Sequence, residues 1–201
     1  VEVWLAKEGH NGKVGINFLH KIQMTTAASV FGAMLAGVDY IIMGAGIPRE
    51  LPKLIRKFAK LETGSVPVDV INGEAATVSL NPLEFVSPDT KINRPKFLAI
   101  ISVDVLGAYL ARDEETRPDG FIIEHNSAGG HNAPPRGTLT LDEHGEPIYG
   151  PKDEANLEKM KKLELPFWLA GTYGNPNRVK DAIAKGAVGV QVGTLFALSN
   201  D

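Results

Sequence analysis

In AMLAGVDYIIMG, residues 33–44, an alanine-rich run stops at Gly37 and gives way to apolar residues that close on Gly44. Glycine after such a run commonly ends a helix, because the residue beyond the last turn takes a positive φ that a Cβ disfavours. Tyr40, Ile41, Ile42 and Met43 then form a run too apolar for a strand with one wet face. AIAKGAVGVQVG, residues 182–193, repeats the frame of alanine, three residues, glycine, six residues, glycine. RPDGFIIEHNSAGG, residues 117–130, is a looser third copy. A recurring helix end, glycine cap and buried strand is what a repeated βα unit leaves in a sequence.

Six such strands are expected, at 13–19, 40–44, 96–103, 120–124, 167–171 and 188–193. Helix-length segments separate most of them: 25–37, with Thr26 as N-cap and Gly37 as stop, an amphipathic stretch at 48–62, then 152–165 and 175–186. Continuous apolar strands alternating with helices imply a parallel sheet covered on both faces. A doubly wound sheet and an eight-stranded barrel both meet that description. A barrel takes roughly 250 residues, so six strands in 201 residues fit an incomplete (βα)8 TIM barrel of about six βα units with its N-terminal strands missing. The chain opens VEVWLAKEGH without methionine and stops at ALSND, as a fragment would. A single domain over 1–201 is expected, with insertions near 63–95 and 136–150. The first insertion lacks a helical period and reads as an irregular or β excursion. GTLTLDEHGEPIYG in the second reads as a hairpin turning at Glu143, His144 and Gly145.

Hydrophobic residues make up 43% of the chain and charged residues 22%, enough apolar material for one sizeable core. A net charge of −3 leaves no cationic surplus for a phosphate backbone, so no nucleic-acid partner is expected. No apolar run reaches the roughly 18 residues of a membrane span and no signal-peptide order opens the chain; a cytoplasmic protein without membrane contact is expected. With no cysteine, thiolate nucleophiles, disulfides and cysteine-ligated metals are absent from these residues.

In parallel α/β folds, ligands sit beyond the carboxyl ends of the strands. The expected strands place Asn17 and His20 after the first, and Ser102 and Asp104 after the third. The fourth is followed by Glu124, His125, Ala128, Gly129, Gly130 and His131, the fifth by Gly171, Thr172, Tyr173 and Gly174, and the sixth by Gln191, Gly193 and Thr194. Three successive ends thus carry bare backbone beside small hydroxyl or amide groups. Main-chain N–H groups exposed in that way suit a dianion, and AGG, AGTYG and VGT are expected to form one phosphate cradle. His131, next to the glycine pair, supplies a group that exchanges a proton near neutral pH. The competing reading is that the glycines only permit tight turns and that His131 only orders the Pro134–Pro135 loop.

Together, SAGGHNAPPRG, FWLAGTYG, AIAKGAVGVQVGTLFALSND and VGINFL resemble the nitronate monooxygenase family, also called 2-nitropropane dioxygenases, over most of the chain. Its members are FMN-dependent TIM barrels related to flavin-dependent enoyl reductases. The resemblance implies a flavoprotein that oxidises alkyl nitronates with O2. It implies that the FMN phosphate lies against Gly129, Gly130, Gly171, Gly193 and Thr194, and that Asn17 lies near the isoalloxazine ring. Ala128, Thr172 and Gln191, from the same strand ends, complete the expected cofactor-binding set. His131 is implied as the catalytic residue beside the flavin, where an imidazole removes a proton from the carbon alpha to a nitro group or stabilises the resulting anion. The chain departs from the family pattern at Ser127, where an acidic residue is usual, in the extended NAPPRG loop after His131, and in the absent first two strands.

An enoyl reductase or an NAD(P)H-dependent reductase would use the same cradle and the same histidine on its own small-molecule substrate. The two insertions could then line a channel for an acyl-carrier substrate, or form an oligomer surface. A cysteine-dependent dehydrogenase is excluded by composition. A Schiff-base aldolase is disfavoured because Lys13 and Lys96 fall at strand starts. Metal-dependent hydrolysis through His20, His125, His131 and Glu124 lacks a tight spacing such as H-x-H. A non-catalytic barrel holding a phosphorylated ligand keeps the cradle without the chemistry.

Overall fold

The computed structural model describes residues 1–129 and 132–200. The elements are α1 (Glu2–Ala6), β1 (Gly15–Leu19), α2 (Thr26–Leu35), β2 (Tyr40–Gly44), α3 (Leu51–Ala59), β3 (Gly64–Val68), β4 (Ala76–Leu80), β5 (Lys96–Ile101), α4 (Asp104–Ala111), β6 (Gly120–Glu124), α5 (Leu157–Lys161), β7 (Phe167–Ala170), α6 (Pro176–Ala184), β8 (Gly189–Gln191) and α7 (Thr194–Ala197). Each of the six expected strand ranges contains one observed strand.

The expected incomplete (βα)8 barrel is overturned. The parallel strands follow the order β1-β2-β5-β6-β7-β8 in a sheet that ends at β1 and β8, while β3 and β4 form a separate antiparallel pair. A barrel closes only when strand number, tilt and stagger let the two end strands pair. Here the last strand is three residues long, and between β2 and β5 the chain leaves the βα rhythm to make the β3–β4 hairpin. The fold is mixed α/β with an open parallel sheet.

The chain divides into two compact units, Val1–Ala99 with Arg112–Pro118, and Ile100–Ala111 with Asp119–Asp201. In the first, β2 is the middle strand, paired in register with β1 from Gly15↔Tyr40 to Leu19↔Gly44 and with β5 from Tyr40↔Lys96 to Met43↔Ala99. Flanked on both sides, it buries Ile41 and Met43 completely. On α3, Leu51, Leu54, Ile55 and Phe58 recur at helical spacing and are all fully buried, with the charges of Lys53, Arg56 and Lys57 on the other face. Gly37 ends α2 with φ +75°, as its position in the repeat predicts. The cap itself is Thr25. Thr26 is instead buried and donates its hydroxyl to the Ile22 carbonyl at 2.8 Å.

Asp39 ties the start of this sheet together. Its carboxylate accepts hydrogen bonds from Lys7 Nζ at 2.7 Å, Lys13 Nζ at 2.9 Å and the Val14 N–H at 3.0 Å. These donors, Lys7 foremost, hold its pKa well below the ordinary carboxylate range. A carboxylate whose folded pKa is depressed contributes stability that is complete above its unfolded pKa, roughly 4, and is lost as pH falls towards the folded value. Asp39→Asn is therefore expected to cost about 1 kcal/mol at neutral pH, a figure discounted for the solvent that reaches the group. Urea titrations at pH 7 and pH 3 check it: the difference between variant and parent should shrink at the lower pH.

In the second unit, β6 contributes Phe121, Ile122 and Ile123 to the core and β7 contributes Phe167, Leu169 and Ala170. Met160 of α5 and Leu110 of α4 are fully buried as well. Asp104 at the start of α4 accepts from the Asn156 N–H at 3.1 Å and pairs with Lys159 at 3.3 Å, which fixes α4 against α5. Asn175 caps α6 by accepting the Arg178 N–H at 3.0 Å, with Pro176 pre-set for the first turn. The expected turn at Glu143, His144 and Gly145 is present: Leu141 bridges Pro147 and Gly145 takes φ +81°. Among the described residues, no helix is long and apolar enough to cross a membrane.

Candidate functional site

Strand register builds the site. Glu124 of β6 lies opposite Ala170 of β7, and Ala170 lies opposite Gln191 of β8. The three strands therefore end level, and the loops leaving them share one edge. They line a cavity of about 810 Å³. Ala128, Gly129, Gly171, Thr172, Gln191, Gly193 and Thr194, all anticipated from the sequence, line it together.

Two anticipated positions stand apart. Asn17 is the third residue of β1, paired with Ile42, exposed, in the other unit, and not part of this lining. Gly130 and His131 lie outside the described residues. The lining also includes Leu195, Phe196 and Leu198, an apolar wall that sequence reasoning did not assign. Its signal is the apolar run LFAL directly after the Val-Gly-Thr strand end.

Glycine is required in these loops for separate reasons. Gly171 has φ +106°, and a Cβ there would stand 3.0 Å from His125 Cβ, 3.2 Å from Ser127 Oγ and 3.3 Å from the Ala128 nitrogen. A Cβ on Gly129 would collide with Thr194 Oγ1. The missing side chains thus let the three loops touch. Gly193 differs: its φ is −118° and a Cβ there would meet nothing within 4 Å. Nothing in the fold demands glycine at that position.

Thr172 has φ +58° and is the only β-branched residue among the described non-glycine residues with positive φ. Such a backbone costs on the order of 1–3 kcal/mol and persists only where its surroundings hold it. Arg178 Nη1 donates to Thr172 Oγ1 at 3.1 Å, and Ser127 Oγ lies 3.5 Å away. His125 Nδ1 accepts the Ser127 N–H at 3.2 Å and lies 2.8 Å from Ser127 Oγ. A chain of polar side chains thus runs from His125 to Arg178 along the cavity edge.

Among the described residues lining this cavity there is no lysine or arginine, and Glu124 is the one carboxylate. An anion entering here meets neutral donors, which in a glycine-bearing loop are main-chain N–H groups. Gln191 Oε1 is buried without a hydrogen-bond partner. An unmade bond of that kind costs about 1–3 kcal/mol. Among the described residues, no three His, Asp or Glu side chains gather as a metal-holding group. His20 is engaged in the other unit by Glu50 at 2.8 Å, a contact that raises its pKa. No protein-family model matches this chain, and no curated protein matches it.

Proposed function

We propose that the loops after β6, β7 and β8 hold FMN and that the protein is an FMN-dependent oxidoreductase of the nitronate monooxygenase type, oxidising alkyl nitronates with O2. The observation that carries this reading is the convergence of three glycine-bearing loops, distant in sequence, on one cavity. Two further features fit the cofactor. The volume lies within the roughly 300–1,000 Å³ of small-molecule sites. Leu195, Phe196 and Leu198 offer an apolar surface for a flat ring.

Bound FMN would supply the two-electron redox chemistry. The chain would supply the rest. Main-chain N–H groups at Gly129, Gly171 and Gly193 would receive the phosphate, and the Leu195–Leu198 wall would exclude water. His131 follows Gly129 by two positions; with a neutral nitroalkane one of its imidazole nitrogens would take the proton from the carbon that bears the nitro group, and with a nitronate, which has already lost that proton, its protonated imidazole would donate a hydrogen bond to the anion.

Titrating the purified protein with FMN should produce a saturable shift of the flavin absorbance. A protein that takes up no FMN overturns the proposal. Under anaerobic conditions propane-2-nitronate should bleach the bound flavin; bleaching by NADPH alone assigns the reductase alternative instead. His131→Ala should keep FMN and lose about 10²–10⁴-fold in turnover of neutral 2-nitropropane, the usual contribution of a general base, and lose less with propane-2-nitronate, which needs no base. Full turnover in that variant would remove the histidine from the chemistry.

A further inference from the structure

We propose a second ligand site, for a small zwitterion of amino-acid size, in the cavity that adjoins the cradle. This cavity measures about 260 Å³ and shares Glu124, Ala170, Gly171 and Tyr173 with the larger one. It falls below the range of drug-sized sites, so its occupant is smaller than a nucleotide. Glu154, Arg178 and Lys185 line it alongside Leu157 and Leu169.

Charges of both signs face this one space without meeting. Among the described residues, the side chains of Glu154 and Lys185 have no hydrogen-bond or ion-pair partner. Arg178 donates to the neutral hydroxyl of Thr172 and makes no ion pair. Glu154 precedes α5 and Lys185 ends α6, and their anchorage on separate elements keeps them apart. Of the other two carboxylates in the lining, Asp153 is already satisfied by the Gly150 and Arg136 N–H groups, each at 2.7 Å, and Glu124 is engaged as well, which leaves Glu154 as the available acid.

A ligand with a carboxylate at one end and an ammonium at the other completes both walls. A simple anion would meet Lys185 and Arg178 but leave Glu154 facing a like charge. A simple cation fails in the reverse sense. Leu157 and Leu169 give the methylene spacer an apolar floor.

The test uses the isotopically labelled full chain without flavin, so a failure of FMN binding does not affect it. Glycine, β-alanine, γ-aminobutyrate, acetate and ethylammonium are titrated separately and followed by NMR. At least one of the three zwitterions should give saturable shifts around Leu157, Leu169 and Lys185, at lower concentration than acetate or ethylammonium. Glu154→Gln and Lys185→Met, both at exposed positions that the fold does not need, should each weaken that binding about tenfold or more, the size of one charged hydrogen bond. Acetate or ethylammonium binding as tightly as every zwitterion, no saturable shift with any of them, or unchanged affinity in either variant would overturn the proposal.

Discussion

Truncating Phe58 to alanine is expected to destabilise the first unit by about 3–5 kcal/mol, the usual cost of emptying a buried aromatic site. The ring is fully buried and meets Phe31 edge-on, with centroids 5.4 Å apart and planes at 64°. Its Cε1 lies 2.8 Å from the point where a Cβ on Gly64 would stand, and Leu54 Cδ1 lies 2.6 Å from the same point. The ring therefore fills the space between α2, α3 and the first residue of β3, and no side chain at Gly64 is available to collapse into the void. A domain of ordinary stability, about 5–15 kcal/mol, loses a large share of it. Urea unfolding followed by circular dichroism should show a lower midpoint, and amide exchange at Ile41 to Met43 should accelerate; neither change would appear if the ring were peripheral. Gly64→Ala makes the opposite error by overfilling the site, and should cost about 1–3 kcal/mol. Because the two positions share one space, Phe58→Leu combined with Gly64→Ala should cost less than the sum of its parts.

What could be read from the sequence follows how local each feature is. β2 and β6 begin and end where their apolar runs do, since the turn residues beside them offer no other interpretation. β8 is shorter than its apolar run because Val192 and Gly193 leave the sheet to line the cavity. α4 was not anticipated. DVLGAYLA carries Gly107 at its centre, where glycine lowers helix propensity by about 1 kcal/mol. Packing overrides that preference: a Cβ on Gly107 would lie 2.9 Å from Met160 Sδ, so the close approach of α4 and α5 depends on the glycine. Closure of a sheet is less local still. The helix, glycine and strand repeat is the same in a barrel and in an open sheet, and only the pairing of the end strands separates them.

The candidate site divides along the same line. Glycine-bearing strand ends were visible because each is a short run of adjacent residues. That they form one edge depends on the register Glu124↔Ala170↔Gln191, which no single segment encodes. The buried, unpartnered Gln191 Oε1 is likewise a property of the packed molecule. Asn17 was assigned to a strand end on an expected strand beginning at Lys13. The strand ends at Leu19, two residues beyond Asn17, which pairs with Ile42 in mid-strand.

Gly171→Ala and Gly193→Ala form the pair that separates a cradle built for a ligand from glycines that merely turn the chain. At Gly171 the fold itself forbids a side chain: φ +106° lies outside the regions open to alanine, and the Cβ would press on His125 Cβ, Ser127 Oγ and the Ala128 nitrogen. Relief requires the loop to move away from Ala128, which carries Thr172 off its contact with Arg178. Gly171→Ala should thus lower stability by about 1–3 kcal/mol and abolish FMN binding together. Gly193→Ala should behave differently. With φ −118° and open space around a new Cβ, alanine is tolerated by the protein, so unfolding should be unchanged within about 0.5 kcal/mol. A cofactor approaching that bare backbone would still meet the added methyl, and FMN affinity should fall tenfold or more, about 1.4 kcal/mol or above. Equilibrium unfolding and flavin titration of both variants give four numbers, of which one carries the argument. Loss of FMN binding in Gly193→Ala at full stability can come only from a ligand that uses that surface, whereas unchanged affinity there would mean that Gly193 does not contact the cofactor.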